Sequence, residues 1–188
     1  MGRWQPESRG RLEQAALTLY GERGFEETTV AEIAARAGLT ERTFFRYFSD
    51  KREVLFGGAG MLQQVLVDAA AAAPATAGPM EVVDRVLDAV GALFAGRRDF
   101  ARQRQAIIAA STELRERELI KLATLAAALA DALRRRGVAD PVAGLTGEVA
   151  VAVFKIAFER WVGDDNTQEL SSLMREGLAE LRAVASGA

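Results

Sequence analysis

The stretch from Thr28 to Leu55, TTVAEIAARAGLTERTFFRYFSDKREVL, leaves a chain few ways to fold. Val30, Ile33, Ala34 and Ala37 recur at i, i+3, i+4 and i+7, the spacing of an apolar stripe along a short helix, and Gly38 interrupts it. After a tight turn, Thr40 stands where a second short helix needs its cap. In that helix Phe44 and Phe48 face inward, while Glu41, Arg42 and Arg46 face out. Helices this short do not hold alone, so a third must cover them, and Leu12, Ala15, Ala16, Leu19 and Tyr20 supply its apolar face. Arg23-Gly24 closes that covering helix, with Phe25 folding back over its last turn, and Thr29-x-x-Glu32 reads as a capping box for the next. The expected product is a helix-turn-helix with an exposed, partly basic second helix.

The paired threonines Thr28 and Thr29, the run Ile33-Ala34-x-x-Ala37-Gly38, Thr40, the aromatic cluster ending in Phe48, and Lys51 all stand in register. Together they resemble the N-terminal DNA-binding region of the TetR family of bacterial transcriptional regulators, a likeness that reaches back to about Arg11 and covers the first quarter to third of the chain. If the start of the second helix enters the major groove, Glu41, Arg42 and Thr43 come closest to base edges: Arg can grip guanine O6 and N7, Glu can accept from cytosine N4, and the Thr methyl can meet thymine. The resemblance implies phosphate contacts from the helix start at Thr29 and from Tyr47 and Lys51. It also puts Phe45 where the family usually has tyrosine, so one phosphate hydrogen bond gives way to an apolar contact. Thr40 and Arg46 complete the candidate DNA-binding set. Thr29 can be a cap and a phosphate contact together, because exposed helix-start N–H groups already invite an anion. The plainer alternative makes Arg42, Arg46 and Lys51 a solvated face and Phe45 part of the core.

Composition removes other classes of function. The 188 residues contain no cysteine and no histidine, which excludes thiol nucleophiles, disulfides, thiolate metal sites and most familiar catalytic centres. No Gly-x-Ser-x-Gly elbow or phosphate loop is present, so neither an enzyme nor a cofactor or metal site is expected. No apolar run looks long enough to cross a bilayer, and the opening MGRWQPESRG lacks a hydrophobic signal, so the expectation is a cytoplasmic protein without a membrane partner. The net charge of -2 divides unevenly: Met1 to Arg52 holds 9 Lys and Arg against 8 Asp and Glu, the rest 15 against 18. So slight a bias means that phosphate binding must come from placement rather than bulk charge. Residues 1 to 8 read as a loose arm, with Arg3, Trp4 and Arg9 within reach of DNA.

Beyond the DNA-binding region, assigned to 1–52, the pattern predicts a larger helical domain over 53–188 and an all-α chain of about nine helices. Asp50-x-x-Glu53 reads as a cap for a helix running through Val54, Leu55, Met61, Leu62, Val65 and Leu66, with Gly57, Gly58 and Gly60 as its weak turn and a candidate hinge. Ala71 to Pro79 breaks the chain, and further helices are expected at Met80–Ala95, with Asp99 capping Phe100–Ala110, then from Ser111 or Thr112 to Arg134-Arg135-Arg136-Gly137, from Asp140-Pro141 to about Val162, and from about Thr167. The penultimate helix is apolar on more than one side, which asks for two partners. A two-fold four-helix bundle built by the last two helices of each copy would cover it, as in TetR-like proteins. The resemblance also implies a palindromic operator in double-stranded DNA, repression as the commoner outcome, and a small-molecule effector. Candidate cavity walls are Leu62, Val65, Val86, Val90, Phe94, Ile107, Phe154, Phe158 and Trp161, each of which plain core packing would also explain. The rival reading is a helical interaction module lacking sequence-specific DNA binding. Salt separates the two: affinity for DNA should fall steeply with ionic strength, Arg42 substitutions should change sequence preference and Lys51 substitutions should weaken all sites alike, whereas a module without DNA binding shows none of these.

Overall fold

A computed structural model describes residues 6–187; the arm residues Arg3 and Trp4 lie outside them. Among the described residues there are nine helices and no strand: α1 (Pro6–Arg23), α2 (Val30–Arg36), α3 (Glu41–Tyr47), α4 (Ala59–Ala72), α5 (Pro79–Phe94), α6 (Arg98–Ala110), α7 (Thr112–Arg135), α8 (Asp140–Val162) and α9 (Leu170–Ser186). They form two compact units. The first runs to Gly58 and also takes in Gln103–Glu118, the end of α6 and the start of α7; the second comprises Ala59–Arg102 and Leu119–Ala188.

In the first unit α1, α2 and α3 close around Leu12, Ala16, Leu19, Tyr20, Phe25, Ile33, Phe44 and Phe48, to which Ile107, Ile108 and Leu114 are added. Two glycines make the tight chain reversals possible. Gly24 ends α1 at φ 88° and Gly38 ends α2 at φ 66°, the left-handed region that a side chain makes costly. At the second, the amides of Gly38 and Leu39 return to the carbonyls of Ala35 and Ala34 at 3.0 and 2.8 Å, closing α2 with a Schellman motif.

Several boundaries differ from the sequence expectation for local reasons. Helix α1 already begins at Pro6, so Arg9 is helical rather than part of an arm; it pairs with Glu13 at 3.0 Å. The Asp50 box does not start a long helix. Its carboxylate accepts from the amides of Arg52 (2.9 Å) and Glu53 (3.1 Å) and holds a turn over residues 51–58, and α4 starts only at Ala59. Gly57 and Gly58 thus precede the helix, and Gly60 lies in its first turn. A Cβ on Gly57 would meet the side chains of Arg9 and Glu13 at 2.7 Å. Asp99 sits inside the first turn of α6 rather than ahead of it, Ala139 rather than Asp140 caps α8, and α9 starts at Leu170.

The second unit packs α5, α8 and α9 against α4 and α7 around Val83, Val86, Val90, Leu129, Leu133, Trp161, Leu173 and Met174. Helix α8 is long and apolar enough to cross a membrane by length and composition, with a mean hydropathy of 1.5, and 44% of that window is buried. Its apolar residues divide between a buried face, with Ala143, Ala150, Phe158 and Trp161, and an exposed stripe with Val142, Leu145 and Ile156. The arginine run at the end of α7 holds structure together: Arg134 pairs with Asp131 and Asp140, and Arg136 donates to the carbonyls of Ala70 and Ala73 at the end of α4 (3.2 and 2.8 Å). Where α7 and α8 cross, a Cβ on Gly147 would lie 2.5 Å from the Ala126 carbonyl oxygen. Gly147→Ala should therefore destabilise the protein by about 2 kcal/mol or more in denaturant unfolding, while Gly144→Ala, which meets nothing within 4 Å, should stabilise it by up to about 1 kcal/mol.

Candidate nucleic-acid interface

Helix α3 is held from beneath and open above. Phe44 is fully buried and Phe48, its C-cap, nearly so, their rings 5.5 Å apart. Thr40 is extended at φ −104°, and its hydroxyl accepts from the Thr43 amide at 3.2 Å. That cap satisfies one donor of the first turn and fixes the direction in which the helix starts. Glu41, Arg42, Phe45 and Arg46 form the exposed face, with Thr43 and Tyr47 half-buried at its edges. The side chains of Glu41 and Arg42 make no hydrogen bond or ion pair with any described residue, so a flexible cation and an acceptor stand free at the start of the helix. Phe45 remains 55% exposed, which rules out the core role that composition alone allowed it. Arg46 lies over the Tyr47 ring at 4.9 Å and donates to its hydroxyl at 3.1 Å.

Helix α2 carries the full capping box. The Thr29 hydroxyl accepts from the Glu32 amide at 3.2 Å, and Glu32 accepts from the Thr29 amide at 2.9 Å. The backbone hydrogen bond from Thr29, then its side chain, holds the Glu32 carboxyl below its ordinary range, with Arg23 adding to the effect. Lys51 is placed differently from the other members of the predicted set. Its ammonium is turned to three backbone carbonyls of the α1–α2 turn, those of Phe25, Glu26 and Thr28. The Tyr20 hydroxyl donates to the Lys51 carbonyl at 2.6 Å. Burial, with the Asp50 charge adding to it, pushes that hydroxyl well above the usual tyrosine range, so it stays a neutral donor.

The predicted cavity walls divide. Leu62, Val86, Val90 and Phe154, with Leu66, Leu87, Leu125, Ala150 and Val151, line a void of about 10 Å³ in the second unit. Phe94, Phe154, Phe158 and Trp161 stack beside it, with centroids 5.6 to 6.0 Å apart from Phe94 to the other three. Val65 is half-buried on α4 and outside that lining, and Ile107 belongs to the core of the first unit. Helical spacing cannot tell which of two cores a stripe will face. Sequence reasoning missed an open groove of about 520 Å³ between α4 and α7, lined by Gln63, Gln64, Thr124, Asp131 and Arg135 among others. Polar residues on two separate helices carry no joint signal in the sequence. Among the described residues no group of three His, Cys, Asp or Glu side chains is placed to hold a metal.

A covered trihelical unit presenting a capped, partly basic helix defines a helix-turn-helix DNA-binding protein. Residues 13–56 match the family model for bacterial regulatory proteins of the TetR family, and residues 77–186 match the MftR C-terminal domain model. The HTH-type transcriptional regulator TcmR of Streptomyces glaucescens is 32% identical over 83 residues, 44% of this chain and 37% of TcmR. A Syntrophomonas wolfei protein assigned to the TetR family has a structure that matches at a TM-score of 0.68 with 17% identity, covering 96% of this chain and 95% of that one. FadR of Thermus thermophilus, a TetR-family repressor solved with lauroyl-CoA, matches at a TM-score of 0.59 with 25% identity, covering 95% and 94%. The chain belongs to the TetR family of DNA-binding transcriptional regulators.

Removing the cap of the presented helix tests how far its pose depends on it. Thr40→Ala should lower stability by about 1 kcal/mol in urea titration, and it should weaken DNA binding without changing which sequence is preferred.

Proposed function

We propose that two copies of this chain, joined through α8 and α9, read a palindromic operator with one α3 each, and that an apolar effector releases the DNA. The observation that carries the DNA part is the exposed, unpartnered Glu41 and Arg42 at the start of a helix locked by Phe44 and Phe48. In this reading Arg42, Glu41 and Thr43 meet base edges, and Thr29, Thr40, Phe45, Arg46 and Tyr47 line the flanking backbone. Pairing is supported by α8, where Val142, Leu145, Val149, Ala152 and Ile156 repeat at intervals of three and four residues. Of these Val142, Leu145 and Ile156 are 48%, 68% and 59% exposed. Such a seam is what a partner helix covers. Pairing would set the two α3 helices about 34 to 36 Å apart, or a multiple of a turn, to enter major grooves on one face.

The effector part is supported by a lining that is entirely aliphatic and aromatic, and by the acyl-CoA held by the Thermus relative. A void of about 10 Å³ holds at most one water. A ligand must therefore favour a state in which Phe154 and its neighbours move apart, and it weakens DNA binding by the ratio of its affinities for the two states. Repression, relieved by that ligand, is the outcome that follows.

Selection of bound fragments from the source genome should recover sites with two-fold symmetric halves, and native mass spectrometry should find two chains on each duplex. Arg42→Ala should cost about 1–3 kcal/mol on the recovered site and relax its preference at one position. Lauroyl-CoA, as the first effector probe, should raise the melting temperature of the free protein and weaken the complex about tenfold. Recovery of unrelated sequences by single chains would refute the DNA part, and a melting temperature unmoved by acyl chains of any length would refute the effector part.

A further inference from the structure

We propose that Lys51 is a positioning residue that buckles the entry and exit of the helix-turn-helix together, acting on DNA only through the helices it holds. The inference rests on the reading that α2 and α3 grip DNA. An ammonium has three protons to donate. Those of Lys51 are directed to the carbonyl oxygens of Phe25 at 2.9 Å, Glu26 at 3.1 Å and Thr28 at 3.2 Å, and the nitrogen lies 4.3 Å from the centre of the Phe25 ring. Its donor capacity is full without DNA. The rest of the arrangement holds the two ends of that span in place. The Lys51 carbonyl takes a hydrogen bond from the buried Tyr20 hydroxyl at 2.6 Å, Tyr20 packs edge-on to Phe25 at 5.4 Å, and the buried Thr28 hydroxyl donates to the Gly24 carbonyl at 2.9 Å.

Position in the chain gives these contacts their meaning. Phe25, Glu26 and Thr28 lie in the turn that leads into Thr29, the cap of α2, and Lys51 stands three residues beyond Phe48, the C-cap of α3. One side chain thus closes a ring around both short helices and sets the spacing between the start of α2 and the end of α3. To reach a phosphate the ammonium would have to abandon at least one charge-assisted bond. Arginine cannot take the same place, because a planar fork does not aim three donors at three carbonyls converging on one point.

Full-length protein and the variants Lys51→Met and Lys51→Arg are compared by anisotropy on a mixed-sequence duplex of roughly 30 base pairs, over a salt series and well below the melting temperature. They are also melted without DNA. Both variants should bind about tenfold more weakly with an unchanged salt slope, and both should melt roughly 5 °C lower. A slope reduced by about 0.9 in Lys51→Met, with Lys51→Arg binding like the parent protein, would show a direct phosphate contact and overturn the proposal. Unchanged affinity in the folded variants would overturn it too, leaving Lys51 a stabilising residue only. If the parent protein binds no duplex, the DNA reading falls by itself, and the melts still decide whether the buckle exists: unshifted melting abolishes it. Lys51→Arg decides alone if Lys51→Met does not fold.

Discussion

Two helices of seven residues each make up the helix-turn-helix, and neither is long enough to persist in water. Everything else in the first unit answers that constraint. Ile33 and Phe44 are fully buried beneath the two helices against Leu12, Ala16 and Tyr20 of α1, so burial supplies what helix propensity does not. Side-chain caps at Thr29 and Thr40 start both helices, and glycine at position 38 lets the chain reverse between them. The inward side of α3 is overdetermined, which frees the outward side from any structural duty. Glu41, Arg42 and Phe45 can then vary with the DNA to be read while the scaffold stays the same.

The second unit is built on the opposite plan. Its helices are long, and close crossings at Gly91 and Gly147 press α5 on α9 and α8 on α7. Aromatic rings fill what space is left, and the remaining void is minute. A core so closed can admit a ligand only if its packing rearranges, and in the proposed function that rearrangement is what reaches the DNA-binding unit. The outward stripe of α8 is the one long apolar seam of that helix that its own chain leaves uncovered.

Local chemistry made the helix-turn-helix legible from its residues. Thr29-x-x-Glu32, Gly38 and Thr40 act within a few residues of themselves, and they fall where spacing puts them. The all-helical class and the order of helices were readable for the same reason, and so was the family. Long-range partners defeated the reading elsewhere. Glu53, which looked like part of a capping box, pairs instead with Arg117 at 2.7 Å, and Asp50 folds a turn rather than a helix. Ile107 has helical spacing but fills the core of the first unit, since residues 103–118 fold with α1 to α3. Lys51 looked like a surface cation. Nothing local to residue 51 announces that three carbonyls more than twenty positions earlier will converge on it.

Every part of the proposed function depends on DNA being read by a pair of α3 helices. Guanine-methylation interference on a recovered operator measures it most directly, because N7 lies in the major groove. Two symmetric patches of interference are expected on one face of the duplex, about one helical turn or a multiple of it apart, with interference at the same guanines lost from both patches in Arg42→Ala. A single patch, or interference that Arg42→Ala leaves intact, would contradict it.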